Sequence, residues 1–170
     1  MIRKILGICI AVAPVLTMAS ALAQGQLSLA DSPQRSASKP PAVEYLDPDE
    51  VTVRAGKPTT IALHFRIAPG LHINSHTPND EDLIPTTLSI PEASAVRLAS
   101  AVFPPGTEFS LPFDPTMKLS VYTGEFTVQA RIVAPAGAHL VEASLRYQAC
   151  DNNICMPPKT VSAAINVIGK

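Results

Sequence analysis

Two cysteines near the carboxyl end of the chain are the residues best suited to carry chemistry. Cys150 and Cys155 stand at either end of the segment Asp-Asn-Asn-Ile, and Pro157 and Pro158 follow them. The Asp-Asn-Asn run is typical of a turn, so the chain can fold back and bring the two sulfurs together. A permanently closed pair ties a loop, whereas a pair that opens and closes exchanges disulfides with other proteins.

The short span of this loop bears on the purpose of a disulfide there. In the chain-entropy model, closing a loop of about six residues contributes roughly 2 kcal/mol, against about 4.7 kcal/mol for a loop of a hundred. A bridge placed for stability would join distant strands, and a short bridge in a tight loop is more easily reduced. The spacing therefore favours redox use, and a structural disulfide that only holds the loop is the alternative.

A metal site is a further alternative, because two histidines stand earlier in the chain. His72 and His76 have the spacing H-x3-H, and with Cys150 and Cys155 they would complete a Cys2His2 zinc set. In an oxidising compartment, however, the two thiols would close on each other. We therefore expect no metal and no other cofactor, and we expect both histidines to be polar loop residues.

The amino-terminal residues predict that the protein is exported to an oxidising compartment. Residues 1–4 give a short basic start, residues 5–18 are uncharged and mostly apolar, and residues 21–23 read Ala-Leu-Ala, a small-residue cleavage pattern. This is typical of a signal peptide over residues 1–23. An uncleaved membrane anchor is the alternative, since the apolar stretch is nearly long enough to span a bilayer. Cleavage would remove Cys9 and leave two cysteines to form one pair.

Composition indicates one class of protein and excludes another. The 170 residues suit a single domain, and 13 basic against 14 acidic residues leave a net charge of -1. No basic field is available to attract nucleic acid, which is excluded as a partner. Hydrophobic residues make up 46% of the chain, and 17 prolines argue against a helical bundle and for a β-rich domain.

Past the signal peptide, the sequence divides into a tether and a folded domain. Residues 24–43 are rich in Ser, Ala and Pro and have no period, which is typical of a flexible tether. Residues 44–170 contain short apolar stretches between Pro and Gly turns, with apolar and polar residues alternating in Thr59–Ile67. Seven to eight such strands predict an all-β, immunoglobulin-like antiparallel β-sandwich, and residues 92–100 suit a helical turn. The predicted strands are 51–54, 59–67, 86–90, 95–98, 119–122, 125–133, 140–147 and 160–168.

Five short motifs between residues 51 and 168 occur together in one known family. They are Tyr147-Gln148-Ala149-Cys150, Cys155-Met156-Pro157-Pro158, Gly70-Leu71-His72-Ile73-Asn74, Glu108-Phe109 and Val121-Tyr122-Thr123-Gly124. In these motifs the chain resembles the N-terminal periplasmic domain of the thiol:disulfide interchange protein DsbD. The resemblance implies an immunoglobulin-like sandwich with a cysteine pair at one end that shuttles two electrons.

The same resemblance implies roles for individual residues. Cys155 would form the mixed disulfide with a partner, and Cys150 would resolve it. Phe109 would belong to a cap loop that shields the pair until a partner displaces it, while Tyr147 is expected to be ordinary strand packing. The partners would be thioredoxin-like exported or membrane-tethered proteins. Unlike DsbD, the chain carries no multi-span membrane domain and no C-terminal thioredoxin domain, so we expect a free-standing, monomeric domain whose electrons come from another protein.

Three positions depart from the family pattern. Where family members place aromatic residues facing the cysteines, this chain has His72 and Asn74, which share one face of an extended segment and are expected to meet the pair. A histidine there would assist thiolate formation. The acidic residue that precedes the cap in the best-known member appears as Thr107, so its proposed effect on a thiol pKa does not carry over.

Two functional classes follow from these observations. If the cysteine pair cycles, the protein is a thiol-disulfide oxidoreductase that passes electrons to or from its partners. If the pair stays closed, the protein is a non-enzymatic exported binding module with a structural loop disulfide. The motifs around the cysteines favour the first class.

Overall fold

The structure is a computed structural model that describes residues 40–46, 50–112 and 114–170. The expected signal peptide and most of the expected tether lie outside these residues. Val43, the last residue of the expected tether, begins a strand and is fully buried, so the folded domain includes it. Across the described ranges, no helix is long and apolar enough to cross a membrane.

The described residues form twelve β-strands and no helix, which confirms the predicted all-β class. Eight of them coincide with predicted strands, and the other four, β1, β4, β7 and β11, were not predicted. The strands are β1 (Val43–Tyr45), β2 (Glu50–Val53), β3 (Thr59–Ile67), β4 (His72–Asn74), β5 (Thr87–Ser89), β6 (Arg97–Val102), β7 (Thr107–Leu111), β8 (Asp114–Tyr122), β9 (Glu125–Val133), β10 (Gly137–Tyr147), β11 (Ala149–Cys150) and β12 (Lys159–Gly169).

The strands are arranged in three sheets of four. The first sheet has the order β1-β3-β9-β6 and the second β2-β12-β10-β5. Both contribute buried residues to one apolar core, and we call these two sheets the sandwich body. The third sheet has the order β11-β4-β8-β7, and we call it the site sheet because it carries Cys150. The described pairs are antiparallel except β2 with β12, and the architecture is the predicted immunoglobulin-like sandwich.

Alternation of apolar and polar residues explains the sandwich body. In β3 the side chains of Ile61, Leu63, Phe65 and Ile67 are buried, and the residues between them point away from the core. Phe65 lies directly opposite Phe126 of β9, and their stacked rings are 5.5 Å apart. The apolar face of each long strand is therefore what holds the two sheets together.

The expected helical turn over residues 92–100 is replaced by a tight turn and a strand. The Ser94 amide donates to the Pro91 carbonyl at 2.9 Å, and β6 begins at Arg97. Val96 is fully buried just before that strand. The apolar residues of this segment are therefore used at the period of a strand.

Candidate redox site

Cys150 and Cys155 form a disulfide at the end of a short β-ladder. The Asp151 amide donates to the Ile154 carbonyl at 3.0 Å, and the Met156 amide donates to the Ala149 carbonyl at 2.8 Å. These bonds make the cysteines a non-hydrogen-bonded antiparallel pair, the position at which opposite Cα atoms come closest, about 4.5 Å in general. Here the two Cα atoms are 4.0 Å apart. The backbone ladder therefore brings the cysteines together.

The turn between the cysteines is organised by one carboxylate. Oδ1 of Asp151 accepts hydrogen bonds from the Asn153 amide at 2.7 Å and the Ile154 amide at 2.8 Å. An aspartate that bonds the backbone two residues ahead makes an Asx turn. Asp151 thus explains why the predicted Asp-Asn-Asn turn is so short.

The two cysteines differ in their access to solvent. Cys150 is 1% exposed, whereas Cys155 is in the exposed class and adjoins Ile154, which is 65% exposed. Disulfide exchange depends on which sulfur a thiolate can reach. A partner can therefore approach Cys155 far more easily than Cys150.

His72 occupies the position beside the buried cysteine. The expectation of a polar loop residue was wrong for His72, which lies on β4 directly opposite Cys150 of β11 and is 2% exposed. Burial lowers the pKa of His72 below its ordinary value, and the negative charge of Asp151 partly opposes that shift. His72 is therefore largely neutral at pH 7.

Phe109 covers His72 from the neighbouring hairpin. The two ring centroids are 4.4 Å apart, with an angle of 36° between the ring planes. Phe109 was expected in a cap loop, but the structure places it on β7, where it pairs with Leu119 of β8. The expected loop is thus a β-hairpin of β7 and β8, because β8 supplies its backbone partners, and we call it the cap hairpin. Phe109 reaches the cysteines through His72, which lies opposite Cys150.

The hairpin that carries Phe109 is held by contacts between its two strands. The Lys118 ammonium lies 3.1 Å from a Glu108 carboxylate oxygen and donates to the Ser110 hydroxyl at 2.9 Å. At the start of β7, a Cβ on Gly106 would clash with the Ser120 hydroxyl. Only glycine lets the chain pass this close to β8. Thr107, which follows, is exposed.

Asn74 supports the cysteine loop indirectly. Its Nδ2 donates to the Ile84 carbonyl at 3.0 Å and to Oε1 of Gln148 at 3.1 Å. Gln148 in turn donates from Nε2 to the carbonyl of Met156 at 3.3 Å. Asn74 was expected to meet the cysteines, whereas its amide bonds the residues that hold the loop. Gln148 had no predicted role, although its place two residues before Cys150 was the available signal.

Tyr147 belongs to the apolar core, in line with the expected strand packing. It is 3% exposed and lies on β10 opposite Lys159 of β12. Burial raises the pKa of its hydroxyl, and a hydrogen bond with the Val43 backbone partly opposes the shift. Tyr147 therefore anchors the strand that leads into the site.

Apolar surface surrounds the disulfide on one side. A narrow cavity of approximately 190 Å³ is bounded by the cysteine loop and the cap hairpin, with Cys155, Ile154, Leu111 and Met117 among its lining residues. Met117 is 45% exposed, like Ile154 a large apolar side chain facing solvent. A protein that attacks Cys155 would therefore contact the exposed apolar side chains of Ile154 and Met117.

The histidine-and-cysteine metal set is not assembled. Nδ1 of His76 is 2.9 Å from the Thr86 carbonyl oxygen, and its ring stacks on Phe103 at 4.2 Å. Both cysteine sulfurs are bonded to each other. Within the part of the chain that the structure describes, no three His, Cys, Asp or Glu residues are grouped to hold a metal ion.

The fold and the cysteine pair define an immunoglobulin-like thiol:disulfide interchange domain. The family model described as "Thiol:disulfide interchange protein DsbD, N-terminal" matches residues 42–166, and the chain belongs to this family. The predicted family and the predicted function of thiol:disulfide interchange are confirmed. The DsbD N-terminal domains of this family are periplasmic.

Three solved structures are similar to this chain. The reduced N-terminal domain of Neisseria meningitidis DsbD is 22% identical with a TM-score of 0.46, over 68% of this chain and 82% of that one. The complex of the DsbD and PilB N-terminal domains from the same organism is 21% identical with a TM-score of 0.43, over 65% of this chain and 77% of that one. The N-terminal periplasmic domain of ScsB from Proteus mirabilis is 13% identical with a TM-score of 0.45, over 73% of this chain and 43% of that one. The comparison with curated proteins gives no match.

Proposed function

We propose that this chain is exported to the periplasm by its amino-terminal signal peptide and passes electrons between thioredoxin-like proteins through Cys150 and Cys155. The observation that carries the proposal is the disulfide at the edge of the site sheet, with one exposed and one buried cysteine. Of the similar structures, one is a complex between a DsbD N-terminal domain and the PilB N-terminal domain. A second protein domain is the kind of partner this exposed cysteine suits.

In this proposal Cys155 forms the mixed disulfide and Cys150 resolves it. When the domain is reduced, the Cys155 thiolate attacks a partner disulfide, and one partner sulfur leaves as a thiolate. The Cys150 sulfur then attacks Cys155, the partner's second sulfur leaves, and two electrons have passed to the partner. Running the same steps backwards reloads the domain from a reduced thioredoxin-like donor.

The proposed cap limits this exchange to suitable partners. Phe109 packs on His72, and His72 lies opposite Cys150, so the cap hairpin covers the buried half of the disulfide. A small thiol or oxidant cannot easily reach the Cys150 sulfur beneath this cover, whereas a protein surface that fits the exposed side chains of Ile154 and Met117 displaces the hairpin. The arrangement shields Cys150 without closing the route to Cys155.

Trapping of the mixed disulfide tests the proposal. Cys150→Ser leaves Cys155 able to attack a partner but unable to release it, so the variant is expected to accumulate covalent adducts with thioredoxin-fold proteins from a periplasmic extract. Both this variant and its control carry Cys9→Ser, which removes the third thiol. Adducts are identified by mass spectrometry after release with dithiothreitol.

The matched control is Cys155→Ser, in which only the buried cysteine remains. It is expected to trap little, because a partner cannot easily reach Cys150. Equal trapping by both variants would contradict the roles given to the two cysteines. If neither variant traps a thioredoxin-fold protein, the proposed electron transfer is wrong and the disulfide is structural.

A further inference from the structure

His72 stands in a row with the two cysteines. The register places His72 of β4 opposite Cys150 of β11, and Cys150 opposite Cys155. Residues directly opposite each other in antiparallel strands point to the same face, with Cβ atoms about 4.5–5.5 Å apart. The side chains of His72 and the buried Cys150 are therefore neighbours on one face of the site sheet.

The ring of His72 has an unused nitrogen. Its Nε2 atom is buried, and no described residue forms a hydrogen bond with it. A buried polar atom without a partner is unfavourable, and a catalytic or redox role is one of its recognised explanations. Oδ1 of Asp151, the charged group that acts on His72, accepts two backbone amides of the turn.

The charges around His72 leave it neutral near pH 7. Asp151 acts on it from the cysteine loop. Arg66 and Glu125 line the same wide cleft as His72, but the Arg66 guanidinium is paired with carboxylate oxygens of Glu125 at 3.0 Å and Glu44 at 3.7 Å. Phe109 faces the ring from β7 and carries no charge. A neutral imidazole is a proton acceptor.

We propose that His72 accepts the proton of the Cys150 thiol while Cys150 resolves the mixed disulfide at Cys155. This inference rests on the proposed function and assigns one step within it. The S–H bond of Cys150 breaks, its proton moves to His72, and a bond forms between the Cys150 and Cys155 sulfurs. The bond from Cys155 to the partner breaks, and the partner sulfur leaves as a thiolate. The imidazolium then returns its proton to solvent.

The physical reason for a base at this position is the burial of Cys150. A thiolate formed alone in an apolar environment is unfavourable, so burial raises the pKa of a thiol. Transfer of the proton during the attack avoids a free buried thiolate. Cys155 is exposed and needs no such help.

Reaction of the reduced protein with 5,5'-dithiobis(2-nitrobenzoate) separates the two steps. The full chain with Cys9→Ser is used, so that only Cys150 and Cys155 react. Attack by Cys155 releases the first thionitrobenzoate, and attack by Cys150 on the resulting mixed disulfide releases the second. Stopped-flow absorbance measures both phases across a pH series.

His72→Phe keeps an aromatic ring against Phe109 but removes the proton acceptor. At neutral pH the second phase is expected to slow on the order of a hundredfold, the size of a typical general-base contribution. The native second phase should level off above the lowered pKa of His72, whereas the variant should keep accelerating toward the pKa of the Cys150 thiol. The first phase should be unchanged in the variant.

Two further variants keep the test decisive. His72→Gln is a second replacement that is polar but not basic, and its melting curve and that of His72→Phe establish that each is folded. His64→Gln removes an exposed histidine from β3 and should leave both phases unchanged.

A second phase as fast as the native one in folded His72 variants, with the same pH profile, would overturn this inference and leave the proposed function standing. A different result would contradict the proposed function itself. If the native protein releases no thionitrobenzoate after treatment with a thioredoxin-like reductant, the reductant has not opened the disulfide.

Discussion

The sandwich body and the site sheet are stabilised in different ways. The body buries alternate apolar side chains of long strands, such as Leu63 and Phe65, in one shared core. The buried polar residues of the described ranges lie instead in or beside β4 of the site sheet; they are His72, Asn74, Ser75 and Thr86. Burial of apolar area provides stability without direction, whereas hydrogen bonds fix positions. The difference indicates that the hydrogen bonds of the site sheet hold its side chains in fixed positions.

The hydrogen bonds around β4 illustrate this division. The Thr86 hydroxyl donates to the Asn74 carbonyl at 2.6 Å, and the Thr86 amide donates to the Ser75 carbonyl at 3.1 Å. The hydroxyl oxygens of Ser75 and Ser120 are 2.8 Å apart. The strand that places His72 beside Cys150 is therefore held by polar contacts on several sides. Substitutions in the sandwich body should therefore change mainly the stability of the protein, and substitutions in the site sheet should change mainly its disulfide exchange.

The largest effect on stability is expected in the sandwich body. Phe65 is fully buried, with ring contacts to Tyr45 and Phe126, each at 5.5 Å. Phe65→Ala should lower the free energy of unfolding by about 3–5 kcal/mol, because it removes apolar contacts and leaves a cavity. Urea denaturation of the oxidised protein measures the loss.

The control for this change is Val102→Ala in β6, where the side chain is 62% exposed and a change within about 0.5 kcal/mol is expected. Below its melting temperature Phe65→Ala should keep the native rates of thiol exchange. A large change in these rates would show that packing in the body also controls exchange at the site sheet, so the two regions would not be independent.

A smaller loss of stability with a larger effect on exchange is expected at Asn74. Asn74→Ala removes two donated hydrogen bonds and leaves the Ile84 carbonyl and the Gln148 side chain without them. The expected loss is about 1–3 kcal/mol, the usual range for a buried polar partner left unpaired. The loop that carries Cys155 should also loosen, because Gln148 holds Met156.

Reduction by dithiothreitol, followed by alkylation of the freed thiols, measures how fast the disulfide opens. We expect it to open faster in Asn74→Ala than in the native protein. Asn166→Ala, at an exposed position of β12 in the body, is the matched control and should alter neither stability nor reduction. An unchanged reduction rate in Asn74→Ala would mean that the polar contacts of β4 do not position the cysteine loop.

The smallest effect is expected at an exposed ion pair of the cap hairpin. Lys118→Ala breaks the contact with Glu108, but both side chains are at least half exposed. Such pairs contribute less than about 1 kcal/mol and are screened by salt. Arg66→Ala breaks two exposed ion pairs of the body, with Glu44 and Glu125, and should have a similarly small effect on thermal unfolding. A much larger loss in Lys118→Ala would show that the cap hairpin depends on this one contact.

The sequence pattern predicted the body well because its strands are long and buried on one side. In β3 and β9 the alternation of apolar and polar residues fixes which side chains face the core. The strands of the site sheet gave weaker signals. All three residues of β4 are buried, so the polar His72 and Asn74 do not face solvent as alternation would predict, and β11 has only two residues. Phe109 stands in a Pro-rich region that resembles a loop, and it becomes a strand only by pairing with β8.

The sequence by itself determined the cysteine pair, the family and the all-β class, since turn residues, motifs and alternation are local properties of the chain. Only the tertiary structure decided that Cys150 is buried, that Cys155 is exposed, and that His72 neighbours the buried sulfur. Those facts depend on the register between β4 and β11, which joins segments far apart in the chain. Burial and proton transfer depend on that neighbourhood, and no local pattern specifies it.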